Sequence, residues 1–284
     1  MGQLMMRYLE AANTTFYEQG QGEPVVLLHG SGCDHRIWEA QREYIASAYR
    51  YIALNLHYHG TEPWPDDGKN YSVLHHVAQV TDFLHDLSVG PVHLIGQSYG
   101  GHIATRVAMQ NPDLVRSLVL QEPSIQSLVD GPEAPAIMEE RQRAFGSAAV
   151  AIGKGQLDVG ARLLIEALIH KGPGTWDAGP DFLKTMVLEN ARTLPLMFAA
   201  SPPPPISREQ LTHLAMPALI INGEETLRFF SHIGEQMAKC IPDAQRAVIA
   251  NASHGVETQN PVAYWEVLRH FLNESSKNAV PSLA

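Results

Sequence analysis

The segment Leu94 to Gly101, LIGQSYGG, sets a serine between glycines as Gly96-Gln97-Ser98-Tyr99-Gly100, after an apolar run and before a helical one. A strand that turns into a helix through glycines presents the middle residue at the tip of a sharp turn, above the carboxyl edge of a sheet. The helix amino terminus behind it favours negative charge developing nearby. Such a serine suits attack on a carbonyl carbon, but its hydroxyl needs a base. NASHGVETQNP supplies His254, in a polar loop after the last apolar run and before the closing helix. LLHGSGCD supplies a third part. The loop after an apolar strand can offer the amide of Ser31, and the serine turn that of Tyr99, to an oxyanion formed on the attacked carbonyl.

A carboxylate raises a further question. In SLVLQEPSIQ, an apolar run ends at Glu122 with Pro123 behind it. Stripping water from an unpaired carboxylate costs several kcal/mol or more. Glu122 is therefore either a structural partner, to an arginine or a helix end, or a participant in chemistry. Pro123 biases it toward an extended conformation.

The elements that must position these residues follow from periodicity. PVVLLHG (24–30), YRYIALNL (49–56), PVHLIGQS (91–98) and VRSLVLQE (115–122) read as strands covered on both faces. WEAQREYIASA, SVLHHVAQVTDFLHDL and YGGHIATRVAMQN carry apolar residues at helical spacing between or after them. This alternation predicts an α/β fold with a mostly parallel twisted sheet and helices on both faces. From about Pro123 to Ile206 strands disappear, and helical stretches run to the tetraproline of SPPPPIS, which fits neither helix nor central strand. Afterwards PALIING and AQRAVIA read as strands, IGEQMAKCI and PVAYWEVLRHFLNES as helices, and the tail after Ser275 as frayed. The expected organisation is a core domain of residues 1–122 and 207–284 interrupted by a helical cap of residues 123–206.

Composition narrows the partners. The chain has 284 residues, 45% of them hydrophobic, which is ample for a core. A net charge of −10 without a basic run argues against nucleic acid or an anionic membrane as partner. Cys33 and Cys240 form no disulfide framework, and no signal peptide, myristoylation site or membrane-spanning run is evident, so a cytoplasmic setting is expected. Neither a monomer nor a homodimer is favoured.

Over nearly its whole length the chain resembles the α/β-hydrolase superfamily, in His29-Gly30, the Gly96–Gly100 turn, the helical insertion and the His254 loop, in the superfamily's Ser…acid…His order. The resemblance implies the α/β-hydrolase fold, Ser98 as nucleophile, His254 as base, and the amides of Ser31 and Tyr99 as oxyanion donors. Many relatives carry the triad acid as the last residue of Gly-x-x-Asp after the strand that follows the cap. Here Gly223-Glu224-Glu225-Thr226 puts Thr226 in its place. Threonine carries no charge to stabilise an imidazolium. Glu225 is the alternative acid if the turn rearranges. Some members, including several haloalkane dehalogenases, instead use an acid after the strand preceding the cap, and Glu122 occupies that position. Glu122 is the expected acid.

Dehalogenases and epoxide hydrolases of the superfamily attack with aspartate, so a serine points to acyl transfer. The expectation is a cofactor-free serine hydrolase of a small ester, thioester or lactone. Two alternatives stay open: a C–C bond hydrolase of diketone-like substrates with the same triad, and a non-catalytic ligand-binding member of the fold. Peroxide-dependent halogenation is a side activity of some relatives. Asn55, His57 and Gly60 stand where relatives have Asp-x-Arg-Gly-x-Gly. His57 and His59 would face one side of a strand, but no further ligand cluster accompanies them, so no metal is expected. His75-His76 reads as a solvated or interhelical pair. Trp38, Trp64, Trp176, Met186, Met197 and Phe198 are candidates for an apolar acyl pocket or for core packing.

Overall fold

Four apolar residues in a row at Val25–Leu28 can all be buried only if both faces of their strand are covered, and they are. The computed structural model describes residues 3–169 and 174–278. Eight strands form one sheet: β1 (Met5–Leu9), β2 (Thr14–Gln19), β3 (Pro24–Leu28), β4 (Arg50–Leu54), β5 (Val92–Gln97), β6 (Val115–Gln121), β7 (Ala218–Gly223) and β8 (Gln245–Ile249). Their order is β1-β2-β4-β3-β5-β6-β7-β8, antiparallel for β1–β2 and β2–β4 and parallel from β4 onward.

Helices α1 (Glu39–Ala46), α2 (Val73–Leu87) and α3 (Tyr99–Gln110) connect the first strands. Between β6 and β7 the chain forms α4 (Ala134–Gly153), α5 (Leu157–Ile169), α6 (Thr175–Ala178), α7 (Asp181–Asn190), α8 (Leu194–Ala199) and α9 (Arg208–Leu211). Helices α10 (Arg228–Cys240), α11 (Val256–Gln259) and α12 (Pro261–Asn278) complete the fold.

The two-residue strand period divides the interior into two cores. Val26, Leu28, Leu94, Leu118 and Ile220 face one side, with Val77 of α2, Val107 of α3 and Ile233 of α10. Val25, Leu27, Ile95, Val119 and Ile221 face the other, with Ile45 of α1 and Leu268 of α12. At roughly 25 cal/mol per Å² of apolar surface, such double burial outweighs the weak intrinsic preference of any single strand.

The expected parallel strands and the strand-free insertion are present. Two things differ. Strands β1 and β2 lie outside the sequence reading: β1 (MMRYL) is largely exposed, shows no core-facing alternation and takes its register from β2, which is short but largely buried. The closing helix runs on to Asn278, so residues 276–278 are helical rather than frayed, and Ser275 is buried with its hydroxyl donating to the Phe271 carbonyl. Residues 279–284 lie outside the described residues. Among the described residues, no helix is long and apolar enough to cross a membrane.

Candidate active site

Sheet register brings the predicted residues together. Gln97 of β5 pairs with Gln121 of β6, so the next residues, Ser98 and Glu122, leave neighbouring strands side by side. Leu28 pairs with Gly96, which puts His29–Ser31 beside the serine turn. Gln121 pairs with Ile221 and Gly223 with Ile249, so the ends of β7 and β8 bring Thr226 and the His254 loop to the same edge.

Ser98 has φ 53° and ψ −111°, a conformation that costs an L-residue about 1–3 kcal/mol. Its surroundings hold it there: its N–H donates to Gln121 O at 2.8 Å, and its carbonyl accepts from His102 N at 3.1 Å and Ser124 N at 3.2 Å. The turn tolerates no side chain at its glycines. A Cβ on Gly96 would lie 2.4 Å from Gly100 O, and one on Gly100 would lie 2.5 Å from Leu28 O. Tyr99 begins α3, so its amide has no intrahelical acceptor. Its hydroxyl donates to His76 Nδ1 at 2.8 Å, because His76 Nε2 already donates to His57 O at 3.0 Å.

The loop that carries Ser31 is fixed from below. Buried His29 accepts from Leu56 N through Nε2 at 3.1 Å, so its Nδ1–H donates to Gly30 O at 2.8 Å. Burial lowers the His29 pKa to about 4, which keeps the ring neutral. Gly30 N in turn donates to Gln97 Oε1 at 3.2 Å.

Glu122 is fully buried. Its Oε1 accepts from Gly223 N at 2.7 Å and Asn222 Nδ2 at 3.2 Å; its Oε2 accepts from Thr226 Oγ1 at 2.5 Å and His254 Nδ1 at 3.3 Å. A carboxylate cannot donate, so the proton of this last bond lies on Nδ1, which leaves Nε2 free. Phe230 lies against the His254 ring, centroids 4.1 Å apart, and limits its rotation. Among the described residues, Glu122 therefore caps no helix and pairs with no arginine. Nor is it extended: its φ is 49°, against the bias from Pro123. Four donors to the carboxylate, and its own N–H bonded to Ile221 O at 2.9 Å, outweigh that local restraint. Glu225 is exposed, and its main-chain N–H donates to Ala252 O at 2.8 Å. Thr226, at the position relatives give to aspartate, acts as a hydroxyl donor to Glu122.

Ser31, Ser98, Tyr99 and His254 line one cavity of about 1820 Å³, walled on the far side by the helical insertion and by Pro202–Pro205. Of the six apolar candidates, Met197 and Phe198 line it. Trp38 and Met186 are fully buried in the core, Trp176 packs against that core, and Trp64 lies over Tyr58 and beneath Arg192. His59 is buried among His29, His76 and Tyr71, while His57 Nδ1 meets His75 Nε2 at 2.9 Å. Of the His75-His76 pair, His76 is not solvated; it bridges to Tyr99 on α3. Asn55 accepts from His35 N at 3.0 Å and donates to Glu62, tying down its loop. Among the described residues, no group of three or more His, Cys, Asp or Glu is placed to hold a metal.

Three charged groups at this cavity have no sequence signal. Glu257, three residues after His254, is fully buried. Gln121 Nε2 donates to its Oε2, and Gln97 Nε2 and Thr258 Oγ1 donate to its Oε1 at 3.3 Å each. Burial, with a contribution from Glu122, raises its pKa to about 7. Arg106 of α3 and Arg141 of α4 also line the cavity. Only tertiary packing distinguishes them from surface charges.

Residues 23–148 match a family model described as the alpha/beta hydrolase fold. The chain is 37% identical over 112 residues to an (E)-2-((N-methylformamido)methylene)succinate hydrolase from Acinetobacter baylyi, covering 37% of this chain and 39% of that relative. It thus spans about two fifths of the length of that protein. It is 26% identical over 270 residues to a protein from Bacillus subtilis named as a putative 2-succinyl-6-hydroxy-2,4-cyclohexadiene-1-carboxylate synthase, covering 88% of this chain and 90% of the relative. Among solved structures, Est816, described as an N-acyl homoserine lactone degrading enzyme, superposes with a TM-score of 0.73 at 23% identity. That match covers 93% of this chain and all of the other.

Proposed function

We propose that the chain, whose residues 23–148 match the α/β-hydrolase fold family, is a serine hydrolase of a small carboxylic ester, thioester or lactone, with residues 123–206 as the cap over its site. The observation that carries this reading is the hydrogen bond from His254 Nδ1 to Glu122, made by a histidine that opens onto the same cavity as Ser98. Relatives described as a hydrolase and as a lactone-degrading enzyme agree with it.

In the proposed reaction His254 Nε2 takes the proton of Ser98 as Oγ attacks the carbonyl carbon. The amides of Ser31 and Tyr99 receive the oxyanion, and Glu122 stabilises the imidazolium. The tetrahedral intermediate collapses as His254 returns the proton to the leaving group. Water, activated by the same histidine, then releases the acid from Ser98. No cofactor takes part in these steps. The strained turn at Ser98 supports the role by projecting the hydroxyl away from its own strand.

Labelling with a fluorophosphonate probe tests the reading. Wild type is expected to label rapidly at Ser98, and Ser98→Ala to lose both labelling and ester turnover while remaining folded. A folded wild type that neither labels nor turns over esters would point to a ligand-binding member of the fold. Cleavage of vinylogous diketones in preference to esters would move the reaction to C–C bond hydrolysis.

A further inference from the structure

The cavity is walled largely by apolar side chains, among them Met138, Phe145 and Phe229, yet two arginines, Arg106 and Arg141, line it. Arg141 lies over the rings of Phe229 and Phe145, with its central carbon 5.0 and 5.7 Å from their centroids. It has no carboxylate partner among the described residues. Arg106 is buried; its Nε donates to His102 Nε2 at 3.0 Å and its Nη2 to the Pro204 carbonyl. It too lacks a carboxylate there. Several arginines elsewhere do find one, as Arg36 does with Asp34 and Glu189, and Arg50 with Glu18, whereas Arg192 is met by the Gly60 and Glu62 carbonyls instead.

Desolvating a cation without a counter-charge is costly, and stacking on rings offsets only part of it. Stacking occupies the faces of the guanidinium and leaves its edge, where the N–H donors lie, to meet a planar anion. The other charged groups around the cavity do not neutralise the pair. Glu139 is held outward by Arg143 at 2.8 Å, and Glu122 is spent on His254, Gly223, Asn222 and Thr226. Glu257 lines the cavity but is held among the donors of Gln97, Gln121 and Thr258, apart from either arginine's hydrogen bonds. His102 accepts from Arg106 and so stays neutral. The cavity is locally cationic although the chain carries a net charge of −10.

We propose that Arg106 and Arg141 form an anion-binding end of the site, and that the substrate carries a carboxylate remote from its scissile carbonyl. This rests on the serine-hydrolase reading and narrows its substrate class. Arg106 follows Ser98 by eight residues, about 12 Å along a helix at 1.5 Å per residue. The carboxylate therefore belongs at the far end of a short chain, not beside the reacting carbonyl.

The test uses Ser98→Ala protein, so that binding is read without turnover. Monomethyl adipate, an anion, and dimethyl adipate, its neutral counterpart, are titrated calorimetrically. The monoester is expected to bind at least about tenfold more tightly. Arg141→Gln in that background should remove the preference, and Arg141→Lys should restore part of it by returning a charge. Equal affinities, no binding of the monoester, or a preference unchanged in Arg141→Gln would overturn the proposal. Loss of fluorophosphonate labelling in wild type, with the monoester preference intact, would instead overturn the hydrolase reading alone.

Discussion

Glu122 and Glu257 are two carboxylates buried equally completely at one edge of one sheet, and their surroundings give them opposite characters. Glu122 meets a backbone amide, two polar side chains and an imidazole that can carry positive charge. Glu257 meets two side-chain amides and a hydroxyl, all neutral, and feels the charge of Glu122. It therefore holds its proton up to a pH of about 7. Burial among neutral donors makes a carboxylate hold a proton; a partner able to become cationic suits it to the orienting role proposed for Glu122. The two are coupled through the strands. Gln97 and Gln121, which grip Glu257, are register partners that immediately precede Ser98 and Glu122. Glu257 thus clasps β5 and β6 just beneath the proposed catalytic pair.

The largest expected effect separates the two acids directly. Glu122→Gln keeps the shape but removes the charge and can reverse the tautomer of His254. It should lower kcat on a simple ester by about 10³- to 10⁴-fold. A fall of less than about tenfold would break the contrast, since Glu122 would then be structural only.

A smaller effect reads the proton on Glu257. Its folded pKa of about 7 lies above the ordinary glutamate value of 4.5, so the folded chain binds the extra proton between those pH values. Its contribution to stability is complete below about pH 4.5 and is lost as pH rises through about 7. Glu257→Gln mimics the protonated acid. It should melt at least about 4 °C higher than wild type at pH 8, with the gain fading as pH falls toward about 4.5. A gain independent of pH would mean that packing, not ionisation, accounts for it.

The smallest effect sharpens the comparison by exclusion. Glu225→Gln should change kcat less than about twofold, because the side chain is exposed and Thr226, not Glu225, bonds to Glu122. A loss comparable with that of Glu122→Gln would return the acid to the turn after β7.

Much of this site is legible in the order of the residues alone. Glycines at 96 and 100 admit few geometries, and the backbone oxygens that a Cβ would strike account for that restriction. Alternating apolar runs and helical patterns announce the parallel sheet, because burial on both faces leaves a continuous hydrophobic signature at Val25–Leu28 and Leu118–Leu120. Strand β1 is illegible for the converse reason: an exposed edge strand carries no burial pattern. Local sequence misleads about the conformation of Glu122. The restraint from Pro123 acts on its neighbour only, while the donors that override it come from residues about a hundred positions away.

By itself, then, the sequence determined the parallel strands and the helical stretches, the turn at Ser98, and the few residues able to act with it, since periodicity and glycine sterics are local properties. The tertiary structure decided which carboxylate reaches His254, which one keeps its proton, and that two arginines line the cavity with no carboxylate partner among the described residues. Those outcomes depend on dielectric surroundings and on partners distant in sequence, and both come into being only when the chain has folded.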